Sequence, residues 1–145
     1  MNPDIDVWAN NVRRAISKID EPVWIVAHSF GCLASLRVVQ ESSDGIAGML
    51  LVALADPDKF SVADQLPQHK LDIPSLLVAS TTDPWLHFDK AVRLANVWGC
   101  QLVNAGNAGH INTESGFGMW IEGVVLLNRI KAASQAARTF GIVSR

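Results

Sequence analysis

The sequence predicts an α/β domain, a three-layer sandwich with a parallel sheet between helices on both faces. Three observations lead there. Short apolar runs alternate along the chain with stretches whose apolar residues recur at three- and four-residue steps, the signature of strands joined by crossover helices. Two of the runs, at 23–27 and 49–55, are apolar at consecutive positions, as strands buried on both faces must be. And 145 residues, 49% of them hydrophobic and 18% charged, suit one domain, 1–145, with a core of its own.

Residues 4–19 read as a helix with Trp8, Val12, Ala15, Ile16 and Ile19 on its apolar face. Asp4 or Asp6 is placed to cap it, and Pro22 limits its extension. The strand 23–27 follows. Helical spacing returns over 30–42, with Leu33, Leu36 and Val38 or Val39 inward, and Asp44-Gly45 breaks it. The run 49–55 is the second strand, ended by Asp56-Pro57-Asp58. Residues 56–73 lack a clear period and read as a long loop with a short helix near 62–65, a candidate binding or lid element. A third strand spans 75–80. A helix spans 89–98, with Asp89 as its cap and Gly99 as its stop. A fourth, short strand covers 101–104. Residues 105–118 are rich in turn signals, and a last helix runs from 119 to 137 with Trp120, Val124, Leu127, Ile130 and Ala133 on its buried side.

Composition excludes several classes of function. The formal net charge is −2 and no basic run exceeds Arg13-Arg14, which argues against nucleic acid as a partner. The apolar runs are too short to span a bilayer, and the acidic, polar start is no signal peptide. Cys32 and Cys100 are isolated thiols without metal-ligand spacing, consistent with a reduced, cytoplasmic protein.

Residues 23–31 read Val-Trp-Ile-Val-Ala-His-Ser-Phe-Gly: a buried strand, a sharp turn at Ser29, then a helix. Strand and helix backbones pass close in such a turn, so small residues are expected two before and two after the serine. Ala27 and Gly31 occupy those places. The pattern is the Gly-x-Ser-x-Gly nucleophile elbow of α/β-hydrolases with alanine for the first glycine. The helix behind Ser29 aims free N–H groups at a developing oxyanion, and the Phe30 N–H is the expected first donor.

In an open parallel sheet, sites form at the carboxyl ends of strands. Ser29, Asp83 and His110 follow the first, third and fourth predicted strands, and Ser, Asp, His is the chain order that α/β-hydrolases use. The expected roles are Ser29 as nucleophile, His110 as general base and acid, and Asp83 as the carboxylate that orients the imidazole. Asp56, also after a strand, is the alternative acid. His28 should be a structural histidine, because its side chain leaves the strand opposite to Ser29. His69 and His87 read as loop histidines and Cys32 as core. Trp85, Phe60 and Leu86 are candidates for an acyl pocket, Trp85 and Phe60 foremost.

Several segments together resemble the small serine-hydrolase family of the retinoblastoma-binding-protein type, compact α/β-hydrolases without a large cap. They are Ala-His-Ser-Phe-Gly-Cys at 27–32, Leu-Leu-Val-Ala at 50–53, Ser-Thr-Thr-Asp-Pro at 80–84, Leu-Ala-Asn-Val-Trp-Gly at 94–99 and Gly-His-Ile-Asn-Thr-Glu-Ser-Gly-Phe-Gly at 109–118. The resemblance covers nearly the whole chain. It implies Ser29, Asp83 and His110 in the roles given above, a small acyl ester as substrate, and no cofactor or metal. Members of that family can carry a small residue other than glycine where Ala27 stands. Similar proteins begin with a strand, a Gly-containing loop, a helix and a second strand before the helix that opens this chain. Two expectations follow. The strand 23–27 should have an unpaired apolar edge, which a second copy could cover as a homo-oligomer. The oxyanion hole should keep Phe30 and lack its second donor, a loss worth about a hundredfold to a thousandfold in rate. The alternative function is a catalytically weak hydrolase-fold protein acting through protein–protein contacts. A nucleotide-binding turn is disfavoured, because Ala-His-Ser-Phe-Gly lacks the required glycine spacing.

Overall fold

A computed structural model describes residues 3–111. Helix α1, Ile5–Ser17, starts where the Asp4 carboxylate accepts from the Asp6 backbone N–H at 2.9 Å. Its buried face is Ile5 and Ala9, with Val12 and Ile16 partly covered. Trp8 lies at the margin, 43% exposed, and Ile19 falls beyond the helix end. The observed stripe is therefore Ile5, Ala9, Val12 and Ile16, most deeply covered in its first turns, while Ala15, expected on it, is exposed.

Strand β1, Val23–His28, leads into helix α2, Phe30–Glu41, whose Leu33, Leu36, Val38 and Val39 are buried as expected. Strand β2 spans Ile46–Val52, three residues earlier than its predicted place. Ala53 turns the chain at φ 51°, and Ala53, Leu54 and Ala55 are apolar because this turn is itself buried, at 1–3% exposure. Burial without periodicity does not distinguish a strand from a packed loop.

The long connection that follows carries one 3-10 turn, Ala63–Gln65. Val62, Leu66, Leu71 and Ile73 anchor it in the core. The indole of Trp98 donates to the Pro67 carbonyl at 2.7 Å, in a fully buried position. So most of the segment expected to be a lid is a structural strap. Strand β3 is Ser75–Ala79, helix α3 is Phe88–Trp98, and strand β4 is Gln101–Asn104. The N-cap of α3 is His87, without a side-chain hydrogen bond, so Asp89 is not the cap. Asp89 instead lies in the first turn, where a carboxylate suits the helix dipole. Gly99 closes α3 at φ 68°, as the sequence predicts.

The four strands are parallel and ordered β1-β2-β3-β4. Alternate residues face two separate apolar layers. Met49, Leu51, Leu77 and Ala79 meet the buried faces of α1, α2 and α3, while Leu50, Val52, Leu76 and Val78 meet Ala108 and Ile111. The described helices thus share one face of the sheet. The helix expected at 119–137 lies outside the described residues. Among those residues β1 pairs only with β2, and its Val26 is 58% exposed. No described helix is long and apolar enough to cross a membrane.

Trp24 lies opposite Gly48 in the β1–β2 pairing, and a Cβ at Gly48 would come within 2.2 Å of the indole. Replacing Gly48 by Ala must displace a rigid ring, with an expected loss of about 1–3 kcal/mol. Thermal denaturation should show a midpoint lowered by several degrees, and G48A in a Trp24→Ala background should recover most of it.

Candidate active site

Ser29 sits at the junction of β1 and α2 with φ 57° and ψ −121°. This conformation is costly for a non-glycine residue and persists only where neighbours over-determine it. They do so here. The Ser29 N–H donates to the Val52 carbonyl at 3.0 Å, and the Ser29 carbonyl accepts from Cys32 at 3.1 Å and Ala55 at 3.3 Å. A Cβ on Gly31 would lie 3.8 Å from that of Ala27. The two small positions therefore do face each other, and the gap would take one methyl more than the sequence places there.

Asp83 follows β3 and is 9% exposed. Its Oδ1 accepts from the Trp85 backbone N–H at 2.9 Å, an Asx turn that fixes the carboxylate plane. His110 follows β4. Its Nδ1 lies 2.9 Å from Oδ2 and 3.1 Å from Oδ1 of Asp83, and its Nε2 lies 2.9 Å from Ser29 Oγ. In the tautomer with the proton on Nδ1, the Ser29 hydroxyl donates to Nε2 and Nδ1–H donates to the carboxylate. Three groups from three strand ends form one continuous hydrogen-bonded chain.

The loop that carries His110 is knit to the loop that carries Asp83 by two hydroxyls to which the sequence assigns no role. Ser80 Oγ accepts from the Ala108 N–H at 3.0 Å and donates to the Gly106 carbonyl at 3.1 Å. Thr82 Oγ1 accepts from the Gly109 N–H at 3.1 Å and donates to Asn107 Oδ1 at 2.7 Å. The signal, hydroxyls at 80–82 just before the acid, was present. Their partners lie some 25 residues away, where sequence gives no register.

Of the residues expected to contact a substrate, Trp85 is 56% exposed with its ring centroid 6.2 Å from that of His110. Phe60 is partly buried against Phe30, centroids 5.0 Å apart, and Phe30 in turn meets Trp8 at 5.1 Å. Leu86 is buried core. His69 and His87 are exposed, and neither touches the Ser29–His110–Asp83 chain. Cys32 is fully buried and its thiol is pushed up to about 12 by that burial, so it stays protonated. His28, exposed at the end of β1, reaches the loop that carries His110: its Nε2 lies 2.9 Å from the His110 carbonyl oxygen. Among the described residues no group of three or more His, Cys, Asp or Glu is placed to hold a metal.

The family model for serine hydrolases matches residues 1–129. In structure, the chain is similar to a protein assigned as a YdeN-like hydrolase from Pectobacterium atrosepticum, with 41% identity and a TM-score of 0.88, covering 91% of this chain and 71% of that one. The ydeN gene product of B. subtilis, at 20% identity and a TM-score of 0.72, covers 90% of this chain and 77% of that chain. The esterase domain of a Rhodothermus marinus protein, at 16% identity and a TM-score of 0.67, covers 89% and 69%. The last two share the fold. No curated protein matches the chain in sequence.

Asp56, the alternative acid, is engaged elsewhere. Lys90 of α3 binds it at 2.6 Å and also binds Asp58, locking the loop after β2 onto α3. Burial works to raise the Asp56 carboxyl, but the Lys90 ammonium and the Asp58 backbone N–H hold it below the usual carboxylate range. A carboxyl lowered in the folded state stabilises fully above its ordinary value, about 4, and loses that contribution as the pH falls through the lowered one. Lys90→Met should therefore lower the melting temperature at neutral pH and flatten its fall on acidification. Melting curves from pH 7 to 3 that run parallel for both proteins would contradict this.

Proposed function

Since the chain belongs to the serine hydrolase family, we propose that it is a carboxylesterase that cleaves a small acyl ester through an acyl-enzyme on Ser29. The observation that carries this reading is the 2.9 Å contact between His110 Nε2 and Ser29 Oγ, continued by Nδ1 to the Asp83 carboxylate. The motif resemblance to the retinoblastoma-binding-protein type supports the same roles.

The mechanism follows from those contacts. Ser29 Oγ attacks the ester carbonyl carbon as its proton passes to His110 Nε2. The carbonyl π electrons move onto oxygen, and the resulting anion is stabilised at the N-terminus of α2, with the Phe30 N–H as donor. The imidazolium is held by Asp83. It protonates the leaving alcohol as the C–O bond breaks, leaving the acyl group on Ser29. Water then enters, gives its proton to His110 as its oxygen attacks the acyl carbon, and the intermediate collapses to release the acid and reprotonate Ser29. Trp85, beside His110, and Phe60, against Phe30, are the proposed apolar contacts for the substrate.

A fluorophosphonate probe should label the wild-type protein and not Ser29→Ala. Hydrolysis of p-nitrophenyl acetate should disappear with the label. Asp83→Asn should lower kcat by about 10⁴, the loss expected when the imidazole takes the wrong tautomer. A folded wild-type protein that takes no label would refute the reading and favour a non-catalytic role.

A further inference from the structure

We infer that His28 is a positioning residue for the base: its imidazole ties the backbone at His110 to the strand that carries Ser29. The inference rests on the proposed role of His110.

His28 is the last residue of β1, one place before Ser29, and its backbone is in register with Val52 of β2. Its Nε2 lies 2.9 Å from the carbonyl oxygen of His110, and the two rings are 4.9 Å apart. A carbonyl only accepts, so Nε2 of His28 carries a proton and donates. The Ser80 and Thr82 hydroxyls hold this loop to the loop that carries Asp83. The His28 bond instead holds it to the strand of the nucleophile. It therefore fixes the separation across which the Ser29 proton must travel.

That separation needs a tether. His110 is flanked by Gly109 at φ 58° and Ile111 at φ 50°. A β-branched residue at positive φ is an outlier that relaxes unless something opposes it. The Ile111 N–H closes a turn onto the Ala108 carbonyl at 3.1 Å, and its side chain is 5% exposed in the second apolar layer. The donor from His28 acts between the pliant Gly109 and the strained Ile111, on the carbonyl of His110 itself. Loss of one such bond permits the imidazole to drift, and proton transfer responds steeply to distance.

His28→Phe keeps a ring and removes the donor. His28→Gln places an amide N–H near the position of Nε2. The readouts are kcat and KM for p-nitrophenyl acetate, the rate of fluorophosphonate labelling, the melting temperature, and the low-field proton resonance of His110 Nδ1–H. H28F should lower kcat and the labelling rate by roughly three- to tenfold, the range of one hydrogen bond. KM should change little, and the low-field resonance should broaden or vanish. H28Q should recover most of kcat and the resonance. Wild-type kcat and resonance in H28F, or no recovery in H28Q, would overturn the inference. Should H28F fail to fold, His28→Asn, whose amide falls short of the carbonyl, takes its place with the same expectations. If the wild-type protein neither labels nor hydrolyses, the esterase reading fails separately. The resonance in the three proteins then still decides whether His28 orders His110.

Discussion

The site depends on one backbone constraint, the positive φ at Ser29. In an extended or helical conformation the Ser29 side chain would lie along the sheet or against α2, away from the other strand ends. At φ 57° it stands clear at the rim, within 2.9 Å of His110. Such a conformation costs of order 1–3 kcal/mol, and the neighbouring strand opposes that cost. The Val52 carbonyl and the Ala55 N–H, on either side of the buried turn at Ala53, grip the Ser29 peptide from β2. The parallel register of β1 on β2 is thus part of the chemistry, because a one-residue slip would remove both contacts.

The same logic extends outward. The Ala53 N–H is in turn bonded to the Val78 carbonyl of β3 at 2.9 Å, and the Ala105 N–H to the Ala79 carbonyl at 2.8 Å. Each strand end is therefore fixed by the next one across the sheet. Asp83 and His110 inherit their positions from this ladder, and the hydroxyls of Ser80 and Thr82 convert it into fixed loops. Lys90 adds a lateral brace by drawing the loop after β2 onto α3.

How far the sequence could be read depended on the range of the interaction. The α/β class and the places of β1, α2, β3, α3 and β4 follow from periodicity and turn residues, both local. The proposed Ser29, Asp83 and His110 set could be read because strand-end position and chain order constrain it jointly. The shift of β2 was not legible, since Ala53-Leu54-Ala55 is as apolar as a strand for a different reason. The strap at 56–73 read as a loop because its anchors, such as Trp98 on Pro67, join distant positions. Side-chain alternation reads His28 as projecting opposite to Ser29. The expectation went no further, because side-chain alternation says nothing of a loop that curls around the strand end to meet it.

The space between Ala27 and Gly31 bears on why an alanine can stand where hydrolase elbows usually carry glycine. Strand and helix share a common steric allowance there. With the methyl on the strand side and none on the helix side, a second methyl would still rest at ordinary van der Waals contact, 3.8 Å away. The bend therefore has room for a methyl on each side, and the spacing of the two backbones demands glycine at neither place. Smallness at this elbow is thus a tolerance of one Cβ per position, and the serine between them keeps its place with alanine on the strand side.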